Sequence, residues 1–262
     1  MIPAGPLAPL TVEPAASALV SDFDGTLAPI VADPARARPL PGAAAALAAL
    51  ARALGVVAVV SGRPVAFLRE HLPVPGIVLA GVYGLERMAG DVVETDPRAV
   101  AHLDAVTAAA GEAASRWPTL TVERKGSTAF TVHWRRAPGD APSRDALATL
   151  AASHGLRLAW GRQAAELLVP VPVDKGTVVA SLLDDRPVTV AAAAGDDVGD
   201  VAAFRALTDR TATQPGFVAV RLAVRSPEAP RILLDAADAV VDGPAALVAL
   251  LADLADSLSR RA

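Results

Sequence analysis

Three nearly unbroken apolar runs each stop at a polar side chain, and this pattern admits few architectures. Ala18-Leu-Val-Ser21 runs into Asp22-Phe-Asp24-Gly-Thr26, Val56–Val60 into Ser61-Gly-Arg63, and Val188–Ala194 into Gly195-Asp196-Asp197 and then Asp200. A run without polar alternation needs burial on both faces, the environment of an inner strand in a helix-covered parallel sheet. Helical patterns separate the runs: Pro39–Leu54 before the stop at Gly55, Pro64–Leu72, Lys175–Leu183 and Asp200–Leu207. Proline at the first turn and glycine past the last residue are ordinary helix boundaries. Ile77–Ala80, Phe217–Leu222 and Ala239–Val241 read as further strands, and Pro244–Leu258 as a last helix. The alternation predicts an α/β fold with a Rossmann-like parallel sheet core and helices on both faces.

The rhythm changes in the middle of the chain. Ala99–Arg116 reads as a long helix, and Leu120–Glu123 and Ala129–Arg135 as an antiparallel pair around a Lys125-Gly126-Ser127 turn. Pro142–Ser153 is a second helix, followed by strands at Leu156–Trp160 and Ala164–Val169. This is the pattern of an inserted α+β cap. The expected division is core at 1–89, cap at 90–170 and core again at 171–262, with Gly81, Gly84, Gly90, Pro170 and Pro172 as hinge punctuation. The first dozen residues carry no periodic pattern and read as an unstructured tail.

Composition removes several functions. A chain of 262 residues, 53% hydrophobic and 20% charged, buries a full core near the size at which one core splits into two. A net charge of -4 leaves no basic footprint, so no nucleic-acid partner is expected. The lack of cysteine rules out thiolate chemistry and Cys-ligated zinc and fits a reducing compartment. The N-terminus does not read as a signal peptide, and Arg52 and Gly55 interrupt the most apolar stretch, Ala43–Val60. No membrane partner and a cytoplasmic location are expected; oligomeric state leaves no signal in the sequence. Of 24 basic residues only Lys125 and Lys175 are lysines, marking both as positions where a compact ammonium is not exchangeable for guanidinium.

In an open α/β sheet, ligands bind outside the carboxyl ends of the strands, so the polar groups ending the three runs should converge. Carboxylates without His or Cys suit a hard, oxygen-seeking cation such as Mg2+, which Asp22, Asp24 and Asp196 could hold. Gly25 and Thr26 offer backbone and hydroxyl donors to phosphate oxygens, and Ser61 a further donor. Lys175, at a helix N-terminus before Gly176, adds a point charge. Phosphate monoesters are accelerated by up to ~10^21, roughly 28 kcal/mol, of which positioning supplies about 7–11 kcal/mol. The rest calls for charge neutralisation and a nucleophile with a separate proton donor, and two aspartates two residues apart can divide those roles. Asp197 and Asp200 fit either supporting places at the metal or caps for the helix that starts near Asp200.

Ser-Asp-Phe-Asp-Gly-Thr-Leu, Val-Ser-Gly-Arg, Asp-Lys-Gly and Gly-Asp-Asp-x-x-Asp resemble the four motifs of haloacid-dehalogenase-type phosphatases. More narrowly, Gly81-Val-Tyr-Gly-Leu-Glu86, Val122-Glu-Arg-Lys125, Val132-His-Trp-Arg135 and the stretch Gly161 to Gly176 are similar to trehalose-6-phosphate phosphatases. This resemblance covers residues 18 to about 255 and implies a phosphoric monoester hydrolase of trehalose biosynthesis. Asp22 would be the nucleophile, Asp24 the general acid/base, Ser61 and Lys175 the phosphate holders, and Asp22, Asp24 and Asp196 the Mg2+ ligands. Substrate contacts would come from Phe23, Asp24, Gly25, Thr26 and Arg63 in the core. In the cap they would come from Glu123, Lys125, His133 and Glu166, with a small-molecule sugar phosphate as partner. Glu123 with Lys125 and His133 with Arg135 are i, i+2 pairs, each sharing a strand face; a solvated hairpin face gives the same pattern. Three positions depart from the resemblance: Tyr83 stands where many relatives have His, and Gly199 and Val201 replace Thr and Glu. Another sugar or glycosyl phosphate, or an inactive sugar-phosphate-binding module, are the competing readings.

Overall fold

The computed structural model describes residues 5–31, 33–89, 91–161, 163–226 and 229–260. Its core is an eight-stranded sheet with β1 (Ser17–Ser21), β2 (Val56–Val60), β3 (Val78–Gly81), β4 (Glu86–Ala89), β5 (Val92–Thr95), β10 (Val190–Gly195), β11 (Val218–Val224) and β12 (Ala239–Val241). The spatial order is β12-β11-β10-β1-β2-β3-β4-β5. Neighbours from β12 to β3 are parallel, and β4 and β5 continue the edge as an antiparallel hairpin. The chain proceeds outward from β1 in one direction through β2 and β3, then resumes at β10 and proceeds in the other. The switch point lies between β1 and β10, where α/β sheets open a crevice for ligands.

Because inner strands alternate side chains between two faces, each strand feeds two cores. Leu19, Val57, Val59, Val190 and Ala192 pack with α1 (Ala43–Ala53), α2 (Val65–His71) and α8 (Gly243–Ser259). Ala18, Val20, Val56, Ala58 and Ala191 pack with α5 (Lys175–Asp184), α6 (Asp200–Thr213) and α7 (Arg231–Ala236). Helices thus cover both faces, as the uninterrupted apolar runs require.

The second sheet is antiparallel, ordered β6-β7-β9-β8, from β6 (Thr121–Lys125), β7 (Ala129–His133), β8 (Arg157–Gly161) and β9 (Ala164–Leu168). One face buries Phe130, Val132, Ala165 and Leu167 beside α3 (Leu103–Arg116) and α4 (Arg144–Ser153). The opposite face carries Glu123, Thr131 and Glu166 in one register row, with Lys125 and His133 on the same side. Among the described residues no helix is long and apolar enough to cross a membrane.

Several elements differ from the sequence expectation. The β4–β5 hairpin was not anticipated, and it places Val92–Thr95 on the eight-stranded sheet although these residues fall inside the span 90–170. α1 starts at Ala43, because Gly42 takes a left-handed conformation (φ 91°) that ends the preceding turn. The expected N-terminal tail is also corrected: Gly5–Thr11 forms a 3-10 helix with Leu7 and Leu10 fully buried in the core. Residues three apart eclipse on a 3-10 helix, so the two leucines enter the core together despite the lack of an α-helical pattern. Of the expected hinge residues, Gly90 lies outside the described residues.

Leu10→Ala is accordingly expected to cost about 2–5 kcal/mol, the usual range for emptying a sealed leucine site. Urea unfolding followed by circular dichroism measures it; a solvated tail would leave the midpoint within about 0.5 kcal/mol of the parent.

Candidate functional site

The strand ends deliver what their sequences promised. The backbone N–H of Asp22 donates to the Ala194 carbonyl at 2.9 Å, carrying the β1–β10 pairing one residue past the strand. On the other side, the Ser61 N–H donates to the Ala80 carbonyl at 3.0 Å. Asp22, Ser61 and Asp196 therefore leave three adjacent strands at one sheet edge. Gly25 turns with φ 76°, and a Cβ there would collide with the Asp196 carboxylate. Gly195 has the same requirement toward Asp200.

Lys175 enters from α5. Asp174 and Thr177 form a capping box at that helix start, with Thr177 N–H donating to Asp174 Oδ1 at 2.8 Å. A side chain at Gly176 would strike the Ala202 carbonyl, so glycine lets α5 lie close against α6. This brings Lys175 Nζ within 2.7 Å of both Asp22 Oδ1 and Asp200 Oδ1. All three groups are buried. Burial works against the ammonium, but the Asp200 and Asp22 carboxylates outweigh it and hold Lys175 charged well above the usual lysine range.

Asp200 does not cap α6, whose first residue it is; its own N–H donates to Asp197 Oδ1 at 3.3 Å. Its Oδ1 pairs with Lys175, while its Oδ2 accepts the N–H groups of Asp196 at 2.9 Å and Asp197 at 3.0 Å, folding the loop before α6. Carboxylate oxygens of Asp22, Asp196 and Asp200 lie within 4.8 Å of one another. One ammonium does not neutralise them. Burial, then Asp197 and Asp200, push the Asp196 carboxyl up to about 7, with Lys175 and the Thr26 hydroxyl working the other way. An all-oxygen donor set with surplus negative charge fits a hard divalent cation. Both Asp200 oxygens are committed to protein donors, whereas Asp22 and Asp196 each engage one oxygen, Oδ1, with Lys175 and Thr26.

Asp24 does not sit in that cluster. Its two oxygens accept from Arg63 Nε at 2.7 Å and Nη2 at 2.8 Å, a bidentate fork. Arg63 Nη1 also lies 4.0 Å from Glu123 Oε1 in the second sheet, so Arg63 stands between the two halves of the cleft. Joining a cation through its side chain would require Asp24 to leave Arg63.

These groups wall a cavity of about 210 Å³. Asp22, Asp24, Ser61, Arg63 and Lys175 form its core side, and Glu123, Lys125 and His133 its opposite side. A second cavity of about 270 Å³ adjoins it, sharing Pro34, Glu123 and His133 and adding Arg135 and Arg136. His133 Nε2 is 2.8 Å from Glu123 Oε2, and this contact holds the Glu123 carboxyl below the usual range. Glu166 is buried just behind the lining, with Lys125 Nζ 2.7 Å from its Oε1. The Phe23 ring is elsewhere: fully buried, it packs edge-on against Phe67 at 5.7 Å between centroids. Thr26 faces Asp196, its hydroxyl 3.4 Å from Oδ1.

Tyr83 and the Arg63–Asp24 fork were missed as site features. Tyr83 lines the cavity and donates its hydroxyl to Glu166 Oε2 at 2.8 Å. The only sequence signal for it was its departure from the histidine of related chains.

Comparison with known proteins agrees with this geometry. A family model described as Trehalose-phosphatase matches residues 20–232. A trehalose-phosphate phosphatase of Mycobacterium marinum is 36% identical over 201 residues, 72% of this chain and 51% of that protein. The chain thus spans about half the length of the curated relatives it matches. Among solved structures, a trehalose-6-phosphate phosphatase related protein superposes with a TM-score of 0.74 at 22% identity, covering 94% of this chain and 100% of the other. A haloacid dehalogenase-like hydrolase from Bacteroides thetaiotaomicron does so with 0.60 at 14% identity, covering 94% and 99%. At these identities the structures establish a shared fold.

The raised Asp196 carboxyl has a measurable sign. A carboxyl held above its unfolded value contributes stability at low pH that is lost as pH rises toward the folded value, here between about 4 and about 7. Integrated, this is at most roughly 4 kcal/mol. A divalent cation salt is therefore expected to raise the melting temperature by several degrees at pH 8 and by clearly less at pH 5.5, where a proton must first be displaced. Equal shifts at both pH values in differential scanning calorimetry would contradict it.

Proposed function

The chain belongs to the trehalose-phosphatase family, and on that premise we propose that it hydrolyses trehalose 6-phosphate to trehalose and phosphate, through an aspartyl phosphate on Asp22 and with Mg2+ bound. The observation that carries this reading is the Asp22 carboxylate, buried at a strand end, held 2.7 Å from the Lys175 ammonium and open to a cavity with a polar far wall.

In the first half-reaction an Asp22 oxygen attacks phosphorus, the bond from phosphorus to the sugar oxygen breaks, and Asp24 gives its proton to the departing alkoxide. In the second, water attacks the aspartyl phosphate, its proton returns to Asp24, and the bond from phosphorus to Asp22 breaks. Asp24 must leave the Arg63 fork to take up that proton, and Glu123 on the opposite wall offers Arg63 an alternative partner. Lys175 and Ser61 hold the phosphoryl oxygens, with the main-chain N–H groups of Phe23 and Asp24 completing the cradle; those expected from Gly25 and Thr26 instead donate to the Ala28 and Phe23 carbonyls and close the turn. Asp22 and Asp196 would hold Mg2+, Asp197 and Asp200 supporting the loop around it; bound there, the ion neutralises charge on the transferring phosphoryl group.

The core is proposed as 1–89 with 171–262 and the cap as 90–170, except that Val92–Thr95 at the start of that span belongs to the core sheet. Glu123, Lys125, His133 and Glu166 of the cap are proposed to read the sugar. The first cavity alone falls below the ~300 Å³ at which ligand pockets usually start, and the adjoining one brings the total into range. A phosphate in one and a two-ring sugar reaching into the other fits this arrangement better than a monosaccharide. The cytoplasm is the proposed compartment.

Phosphate release from a sugar-phosphate panel tests the reaction. Trehalose 6-phosphate is expected to exceed glucose 6-phosphate and an aryl phosphate in kcat/KM by about 100-fold or more, with activity lost in EDTA and restored by MgCl2. A flat panel would remove the substrate assignment, and no turnover at all would remove the reaction. Asp22→Asn is expected to lower kcat by at least ~10^4-fold; a protein of unaltered activity would rule out Asp22 as nucleophile. Lys125→Ala is expected to lower kcat/KM for the sugar phosphate about 10-fold more than for the aryl phosphate. Equal losses would instead mark Lys125 as structural.

A further inference from the structure

Tyr83 is the chain's one tyrosine, and it is one of three non-glycine residues with positive φ among the described residues. Val82 and Tyr83 both have positive φ, 46° and 60°, a region costly for side-chain-bearing residues and worst for a β-branched one. The surroundings hold this conformation in place. Val82 N–H donates to the Arg63 carbonyl at 3.0 Å and Tyr83 N–H to the Ser61 carbonyl at 2.9 Å, tying both to the loop that carries the phosphate-facing serine. The ring then lies over Gly62, where a Cβ would come within 2.8 Å of the Tyr83 hydroxyl oxygen.

From there the hydroxyl crosses to the opposite sheet. It donates to Glu166 Oε2 at 2.8 Å, while Lys125 Nζ takes Oε1 at 2.7 Å and sits 5.9 Å from the centre of the Tyr83 ring. Burial and the Glu166 carboxylate both keep the phenol protonated, well above its ordinary range, so it remains a donor. Lys125 lines the cleft and Glu166 lies behind it. The carboxylate thus depends on a core residue for one of its two partners.

We propose that Tyr83 is a positioning residue for sugar recognition: its hydroxyl fixes Glu166, and through Glu166 the Lys125 ammonium, against the cleft above the nucleophile loop. This rests on the phosphatase reading. Without the hydroxyl, Glu166 Oε2 is left buried without its donor, the Glu166–Lys125 pair loses its tie to the core, and the sugar meets a less organised wall. The hydroxyl's hydrogen bond goes to Glu166 and not to the phosphoryl-transfer groups Asp22 and Lys175, so the effect should depend on the substrate's sugar.

The test uses the full chain with MgCl2 and compares wild type, Tyr83→Phe, Glu166→Gln and the double variant on trehalose 6-phosphate and an aryl phosphate. Tyr83→Phe is expected to lower the sugar-to-aryl ratio of kcat/KM about 10-fold, chiefly through KM, as for loss of a hydrogen bond to a charged group. In the Glu166→Gln background the same change should move that ratio less than about twofold, because the two residues act as one unit. An unchanged ratio, or an equal fall in both backgrounds, overturns the proposal. With 13C-labelled tyrosine the protein gives a single phenolic resonance, expected to shift between wild type and Glu166→Gln. An unmoved resonance overturns the proposal even if Tyr83→Phe fails to fold. Wild-type turnover of the panel tests the parent reading separately, since residue 83 is unaltered there.

Discussion

A buried ammonium held between two buried carboxylates organises the site. Lys175 Nζ touches Asp22 and Asp200 at the same 2.7 Å, and each partner comes from a different element. Asp22 arrives on β1, Asp200 at the first turn of α6 after β10, and Lys175 at the first turn of α5. Taking these charges out of water is costly, and leaving one of them without its partner typically costs about 3–5 kcal/mol. The fold therefore has to bring all three together, and it does so through small residues. Gly176 lets α5 approach α6, Gly195 makes room for Asp200, and Gly25 makes room for Asp196. With one ammonium among three carboxylates the cluster stays short of positive charge, a deficit that a bound divalent cation would make good.

The second half of the cleft comes from the inserted sheet. Its face toward the core is polar because β6, β7 and β9 alternate, with Glu123, Thr131 and Glu166 in one register row and hydrophobic residues turned to α3 and α4. Across the cleft Arg63 meets Glu123 and Tyr83 meets Glu166 through charged and hydroxyl groups, while behind them Val82 and Leu85, between β3 and β4, pack into the apolar cluster of the second sheet. Polar contacts of this kind part and reform more readily than the buried apolar one, which fits a hinge at Val82–Leu85 and an opening at the polar side. A closed wall would keep bulk water from Asp22 and strengthen each electrostatic contact within.

Much of this was legible in the chain. Inner strands of a parallel sheet announce themselves as unbroken apolar runs, and the residues following β1, β2 and β10 are the ones that line or support the site. The two lysines stand out in an arginine-rich chain, and both lie at the cleft. The weaker signals were local and short. β4 and β5 are four residues each, with Val92 and Val93 exposed, so they lack the pattern of a buried strand. The 3-10 helix carrying Leu7 and Leu10 has no 3.6-residue period to detect. Side-chain pairing was hidden for another reason: Arg63 forks onto Asp24 across 39 positions and Tyr83 meets Glu166 across 83. No local pattern encodes a partner at that distance. Asp24 was accordingly grouped with Asp22 and Asp196, whereas the structure puts Asp200 in that cluster and Asp24 on Arg63.

The most direct measurement is rapid acid quench of the wild-type protein mixed with a sugar phosphate labelled at phosphorus, followed by peptide mapping. If Asp22 is the nucleophile held ready by Lys175, the label appears transiently on the peptide containing residue 22, as a base-labile acyl phosphate, before free phosphate accumulates in the steady state. Label on another residue, or phosphate released by a direct attack of water with no protein-bound label at any time, would contradict it.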